Sequence, residues 1–197
     1  MKKFLASIFA LFFLATNAAA IDKESINSVV QKDLNAAVKI IKQKSSLQTK
    51  GKQLFAMFDK YFDYSRMARI ALGAHAKSLT TAQTAEFERE FVARLKASFT
   101  EKLSLYTNQK FVVAGAYAPP KPRNRYFVDV DIVGASDTYK LGFKLYTKEG
   151  ANDYRVYDVE VVGVSVVAMY RSQLAGLAVG DFAGIMAAVR SVDVAGK

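Results

Sequence analysis

The chain has 197 residues, 51% of them hydrophobic, a formal net charge of +10, no cysteine and one histidine, His75. Without cysteine there are no disulfides and no thiolate metal sites, and one histidine excludes His-rich ones, so the fold must stand on its apolar core. The positive charge favours anionic partners: lipid headgroups, an acidic protein surface or nucleic acid.

The N-terminus reads as a cleavable secretory signal. Lys2 and Lys3 form a basic start, Phe4 to Ala15 an uncharged apolar run, and Ala18-Ala19-Ala20 a small-residue cleavage pattern. The apolar run is shorter than the roughly 20 residues that span a bilayer. Residues 1–20 are therefore expected to be removed after Ala20. Residues 21–197 are expected to work as one soluble domain outside the cytoplasm. No cysteine stands at the cut to carry a lipid.

The mature chain divides by period. From about 22 to 106 the pattern is helical. Val29, Val30, Leu34, Ala37, Val38 and Ile41 mark a first helix, and Leu54, Phe55, Met57 and Phe58 a short second one. Asp63 is placed to cap a third, Tyr64 to Leu72, and Gly73 to end it. Thr80-Thr81-Ala82-Gln83 is a capping box before a long helix with Phe87, Phe91, Leu95, Phe99 and Leu103 four apart. That stripe winds slowly and suits a helix lying across a curved sheet. From about 109 to 162 the period becomes 2. Tyr126, Val128, Val130 and Ile132 alternate with polar or outward residues. So do Tyr139, Leu141, Phe143 and Leu145, then Tyr157, Val159 and Val161, while Phe111 to Tyr117 makes a weaker fourth strand. Short connections predict antiparallel hairpins. Ser165 and Asp181 are placed to cap two closing helices over about 165–192. The fold class is α+β: a four-stranded antiparallel sheet with helices packed over one face.

Catalytic patterns are sparse. There is no cysteine nucleophile or Gly-rich phosphate loop, and His75 reads as a surface or partly packed residue. Asp158 with Glu160, and Asp129 with Asp131, read as solvated outer faces of the sheet rather than acid–base pairs. The aromatics follow core periodicity, unlike the exposed stacking platforms of nucleic-acid binders, so no nucleic-acid partner is expected. The high apolar content fits a tight core or an apolar guest held between sheet and helices. Periodicity alone leaves both open.

Two blocks resemble the MlaC-type periplasmic phospholipid-binding proteins, the toluene-tolerance family. The first is Phe62-Asp63-Tyr64-Ser65-Arg66-Met67-Ala68-Arg69-Ile70-Ala71-Leu72-Gly73, followed by Leu79 to Gln83 and Glu86 to Phe91. The second runs from Tyr154 through Val161-Val162-Gly163-Val164-Ser165 to Tyr170-Arg171-Ser172-Gln173. His75, Tyr154 and Leu174 stand where the family often carries tryptophan or phenylalanine. The resemblance implies a carrier that performs no chemistry and has no cofactor, its cargo a phospholipid. It implies shuttling between an outer-membrane lipoprotein–porin complex and an inner-membrane MCE-ring ABC transporter, which keeps the outer membrane asymmetric.

On that reading the tails would lie between sheet and helices, against Tyr126, Val128, Val130, Ile132, Leu141, Phe143, Leu145, Tyr157, Val159 and Val161. Phe91, Leu95, Phe99 and Met169 would stand opposite. Arg66, Arg69 and Arg171 are the candidates for headgroup contact or partner docking. Two other classes compete: a small α+β enzyme on a hydrophobic substrate with Asp158 as base, and an extracytoplasmic chaperone for apolar segments.

Overall fold

A computed structural model describes residues 23–122, 124–147 and 154–192. The expected signal sequence lies outside them. The element order is α1 (Lys23–Ile41), α2 (Leu47–Phe58), α3 (Tyr64–Leu72), α4 (Thr81–Lys102), β1 (Lys110–Tyr117), β2 (Arg125–Val133), β3 (Thr138–Thr147), β4 (Tyr154–Val161), β5 (Val164–Ser165), α5 (Val166–Leu174) and α6 (Phe182–Ser191).

The helix starts are written in side chains. Ser46 accepts the Thr49 amide at 3.2 Å, Asp63 the Arg66 amide at 2.9 Å, and Ser165 the Ala168 amide at 3.1 Å. Asp181 accepts from Gly184 at 2.9 Å. Thr80 and Gln83 form the reciprocal capping box at 3.2 and 2.9 Å. Each cap satisfies an amide that the helix itself leaves unpaired, a contribution of about 1 kcal/mol.

The strands form one antiparallel meander in the order β1-β2-β3-β4-β5. It has five strands where the alternation predicts four. The added strand, β5, is two residues long and turns back on β4 through Val162 and Gly163, whose φ angles are 51° and 79°. A two-residue period cannot be read from so short a piece.

The core has three parts. One is helical: Met67, Leu72, Phe87, Phe91, Tyr170, Leu174 and Ile185 are buried together between α3, α4, α5 and α6. A second joins the sheet to α1, with Ile26 and Leu34 over Tyr126, Val128, Val130, Leu145 and Val156. A third packs the end of α1 on α2, through Ile41 and Leu54. The expectation that α4 lies across the sheet is corrected: α4 packs on α2, α3 and α6. The reason is its spacing of four, which drifts by about 40° per step on a helix of 3.6 residues per turn. Phe87 and Phe91 therefore face the helical core, while Phe99 has rotated out and is 49% exposed. α2 approaches α4 closely where Gly51 sits, since a Cβ there would stand 2.5 Å from Thr100 Oγ1.

Candidate functional site

Strand pairing assembles one apolar face. Residues directly opposite in an antiparallel pair share a side of the sheet. Tyr126 pairs with Leu145, Val128 with Phe143, Val130 with Leu141, and Ile132 with Tyr139. Across the next pair, Leu141 opposes Val161, Phe143 opposes Val159, and Leu145 opposes Val156. This inner face carries most of the strand residues expected to hold tails. Tyr126, Val128, Val130 and Leu145 are buried under α1. Leu141, Phe143 and Val159 are half-buried against the same cluster, and Ile132 is half-buried beside it. Val159 and Val161 also lean on the helical core, so β4 joins the two clusters.

Tyr157 leaves this face, and Phe99 leaves the place expected opposite it. Between Lys144 and Leu145 the β3–β4 register shifts, and Tyr157 is the extra residue of the bulge. The alternation breaks there, so Tyr157 does not line up with Val159 and Val161. Its ring lies 6.1 Å from Tyr146, with the Arg125 guanidinium 4.4 Å and that of Arg66 5.5 Å from it. Val156, buried to 4% exposure, takes the inner position instead. Phe99 is the other departure; its ring meets Phe55 of α2 edge-on at 5.7 Å. Phe91, Leu95 and Met169 belong to the helical core, where Phe91 sits between Phe87 and Tyr170 at 6.1 and 4.8 Å.

Sequence reasoning missed three inner-face contributors. Ile26 and Val30 of α1 cover the strands, and Phe62 bridges to Val156 and packs against both clusters. Helical periodicity reveals that α1 has an apolar stripe but not what it covers. Gln31 ties that helix down. Its amide donates to the Phe111 carbonyl at 2.9 Å and its carbonyl accepts the Val113 amide at 2.8 Å, pairing the open edge of β1.

The outer face is polar but not simply solvated. Asp158 is 2% exposed. It accepts from Lys144 Nζ at 3.1 Å, Ser165 Oγ at 2.6 Å and the Val167 amide at 3.2 Å. Burial alone would lower the Lys144 ammonium, but hydrogen bonds and charge from Glu160 and Asp158 outweigh it and hold its pKa above the ordinary lysine value. The expectation of a solvated carboxylate is therefore corrected for Asp158. Both its oxygens are engaged in tying β3 and β4 to the start of α5.

Two concavities are found among the described residues. One, of about 560 Å³, follows Ser28, Gln31, Lys32, Asn35, Ala36 and Lys39 along α1. The other, of about 340 Å³, is lined by Phe62, Asp63, Tyr64, Ser65, Glu88, Tyr146 and Arg155. Neither is lined by a residue expected to hold tails. Among the described residues no group of three or more His, Cys, Asp or Glu is placed to hold a metal ion, and no helix is long and apolar enough to cross a membrane.

The sequence model of the MlaC protein family matches residues 31–191. The chain belongs to the MlaC family. No curated protein matches it. Among solved structures it is similar to a phospholipid-binding protein from Ralstonia solanacearum, determined in complex with a phospholipid. The TM-score is 0.69 at 19% identity, over 86% of this chain and 95% of that one. The two share a fold.

In this MlaC-family chain the three candidate arginines have separate settings. Arg66 lies 4.2 Å over the Tyr146 ring, beside Asp63, which accepts a short hydrogen bond from the Tyr146 hydroxyl. Burial would raise the Asp63 carboxyl. The Tyr146 hydroxyl, the Arg66 amide and the charges of Arg66 and Arg69 outweigh that and hold it below the usual carboxylate value. Arg69 is exposed one turn further along α3. Arg171 is exposed on α5, and its stem lies where a Cβ on Gly73 would meet it at 3.0 Å. His75, expected at or near the surface, is buried, and its Nε2 donates to the Leu174 carbonyl at 3.0 Å. It joins the end of α3 to the end of α5.

Gly73 has φ 56° and ψ −123°, a conformation outside the left-handed helical well and open in practice only to glycine. Gly73→Ala is expected to lower the unfolding free energy by about 1–3 kcal/mol. Urea titration measures it. Adding Arg171→Ala should recover little, because backbone strain rather than a flexible side chain sets the cost; full recovery would show the reverse.

Proposed function

We propose that this protein is a phospholipid carrier of the periplasm. It holds acyl tails against the inner face of its sheet and performs no covalent chemistry. The observation that carries this reading is the incomplete cover of that face: Ile132, Leu141 and Phe143, all apolar, are only half-buried in a fold shared with a protein seen in complex with phospholipid. Each methylene exposed to water costs about 0.8 kcal/mol. Bare desorption of two chains with about thirty methylenes would cost on the order of 20 kcal/mol. A carrier removes that cost by passing the tails from one apolar phase to another, with the headgroup left at the mouth in water. Residues 1–20 serve as the export signal. The cargo moves between an outer-membrane lipoprotein–porin complex and an inner-membrane MCE-ring ABC transporter, keeping the outer membrane asymmetric. With Lys2 and Lys3 removed along with the signal, the formal charge of +10 falls by two to about +8, which supports docking to acidic surfaces on both, with Arg69 and Arg171 as exposed candidates.

Mass spectrometry of gently purified mature protein tests the reading. Co-purified phospholipid in near-stoichiometric amount is the expected result. A small soluble substrate in its place would favour an enzyme, and an empty protein that takes up no lipid from vesicles would favour a chaperone.

A further inference from the structure

Burial along the inner face runs in one direction. On β2, Val128 and Val130 are buried and Ile132 is half-buried. On β3, Leu145 is buried, Phe143 and Leu141 are half-buried, and Tyr139 is 51% exposed. On β4, Val156 is buried, Val159 and Val161 are half-buried, and the chain then exposes Val162 and Val164 to 60% and 57%. Register places these open residues together: Ile132 pairs with Tyr139, Leu141 with Val161, and Val161 with Val164. The apolar face therefore continues to one end of the sheet, where the cover thins from the half-buried Leu141 and Val161 to the exposed Tyr139, Val162 and Val164. Contiguous exposed apolar surface of this kind marks a place of contact.

The same end carries backbone strain. Val162 is a β-branched residue at φ 51°, directly before Gly163 at φ 79°. A two-residue hairpin turn with positive φ at both positions favours Asn-Gly, and valine is among the residues least suited to it. The Val162 side chain is exposed, so packing does not compensate for the strain. A strained residue that presents an apolar group to water is the pattern of a site held for function.

We propose that this end of the sheet, formed by Ile132, Tyr139, Leu141, Val161, Val162 and Val164, is the portal through which phospholipid acyl chains enter and leave the tail site. The inference rests on the carrier reading above and adds the route. The occupant is an acyl chain, because the patch is uncharged, apolar and continuous with the face on which the tails would lie.

Val162→Asn separates portal from fold, since asparagine tolerates the left-handed turn. It should raise the thermal midpoint, by about 2–4 °C on the scale of a modest stabilisation in a chain of this size. Delipidated mature protein is mixed with phosphatidylethanolamine–phosphatidylglycerol vesicles carrying a pyrene-tailed phospholipid. Val162→Asn should reach the wild-type load at equilibrium but take up lipid about tenfold more slowly. Uptake at the wild-type rate overturns the portal, and so does a reduced equilibrium load, which would place Val162 in holding rather than passage. If the wild type takes up no lipid, the carrier reading itself has failed. The chain has no tryptophan, so Val164→Trp adds a single reporter. Vesicles with brominated acyl chains should quench it during uptake; an unquenched indole while lipid loads would put the route elsewhere.

Discussion

Phe143→Asp is expected to strip phospholipid from the purified protein and to leave most of the fold in place. Phe143 stands at the middle of the inner face, opposite Val128 on one side and Val159 on the other. It is half-buried, so its side chain reaches space that the helices do not fill. A carboxylate there would face acyl chain, and an unpaired charge taken out of water costs several kcal/mol. A cost of about 3 kcal/mol is roughly a hundredfold in affinity. Once the tails have gone, water can reach the carboxylate and the sheet survives. Val128→Asp is the contrast. Val128 is fully buried under α1, so the same charge has no route to water and should unfold the protein. Val112→Lys is the control, on the outer face opposite Asp131; it should keep its lipid. The measurement is phospholipid per folded protein, with circular dichroism reporting the fold. A folded Phe143→Asp protein with a full lipid load would show that the tails lie elsewhere.

Asp158→Ala carries the largest expected cost in stability among the outer-face residues. Its carboxylate joins three elements through Lys144, Ser165 and the Val167 amide. Removing it leaves a buried amide and a hydroxyl without their acceptor, and Lys144 with Glu160 alone at 2.5 Å. Breaking a fully buried ion pair costs about 3–5 kcal/mol. Lys144 keeps a partner and its side chain is 23% exposed, so the expected loss is nearer 2–3 kcal/mol. For a domain of this size that is a fall of about 5–10 °C in thermal midpoint. Lipid load per folded molecule should be unchanged. If stability is unaltered and a turnover activity disappears instead, Asp158 is a catalytic base and the enzyme reading returns.

The strand stripes were legible because the period of 2 needs only neighbouring residues to be read. Tyr126, Val128, Val130 and Ile132 share the face their alternation predicts, as do Leu141, Phe143 and Leu145. Tyr157 was not legible, because a bulge is a property of two strands and nothing in β4 alone announces it. Phe99 failed for a different reason. A spacing of four is nearly helical, and the small mismatch accumulates over three steps until the side chain points elsewhere. Asp158 looked like any outward carboxylate because the residues that enclose it, Lys144 and Ser165, come from other turns of the chain.

The sequence by itself determined the α+β class, the caps at Asp63, Thr80, Ser165 and Asp181, the antiparallel hairpins and the family resemblance. All of these are local: a cap spans three residues, a hairpin a few more, and a motif its own block. Only the tertiary structure decided which helix covers the sheet, that α4 does not, where Tyr157 points, and which end of the apolar face stays open. Those depend on pairings between distant residues, such as Gln31 with Phe111 and Val113, and Phe62 with Val156. An apolar side chain gains nearly the same free energy against any apolar neighbour, so hydrophobic pattern states that a face will be buried without naming its partner.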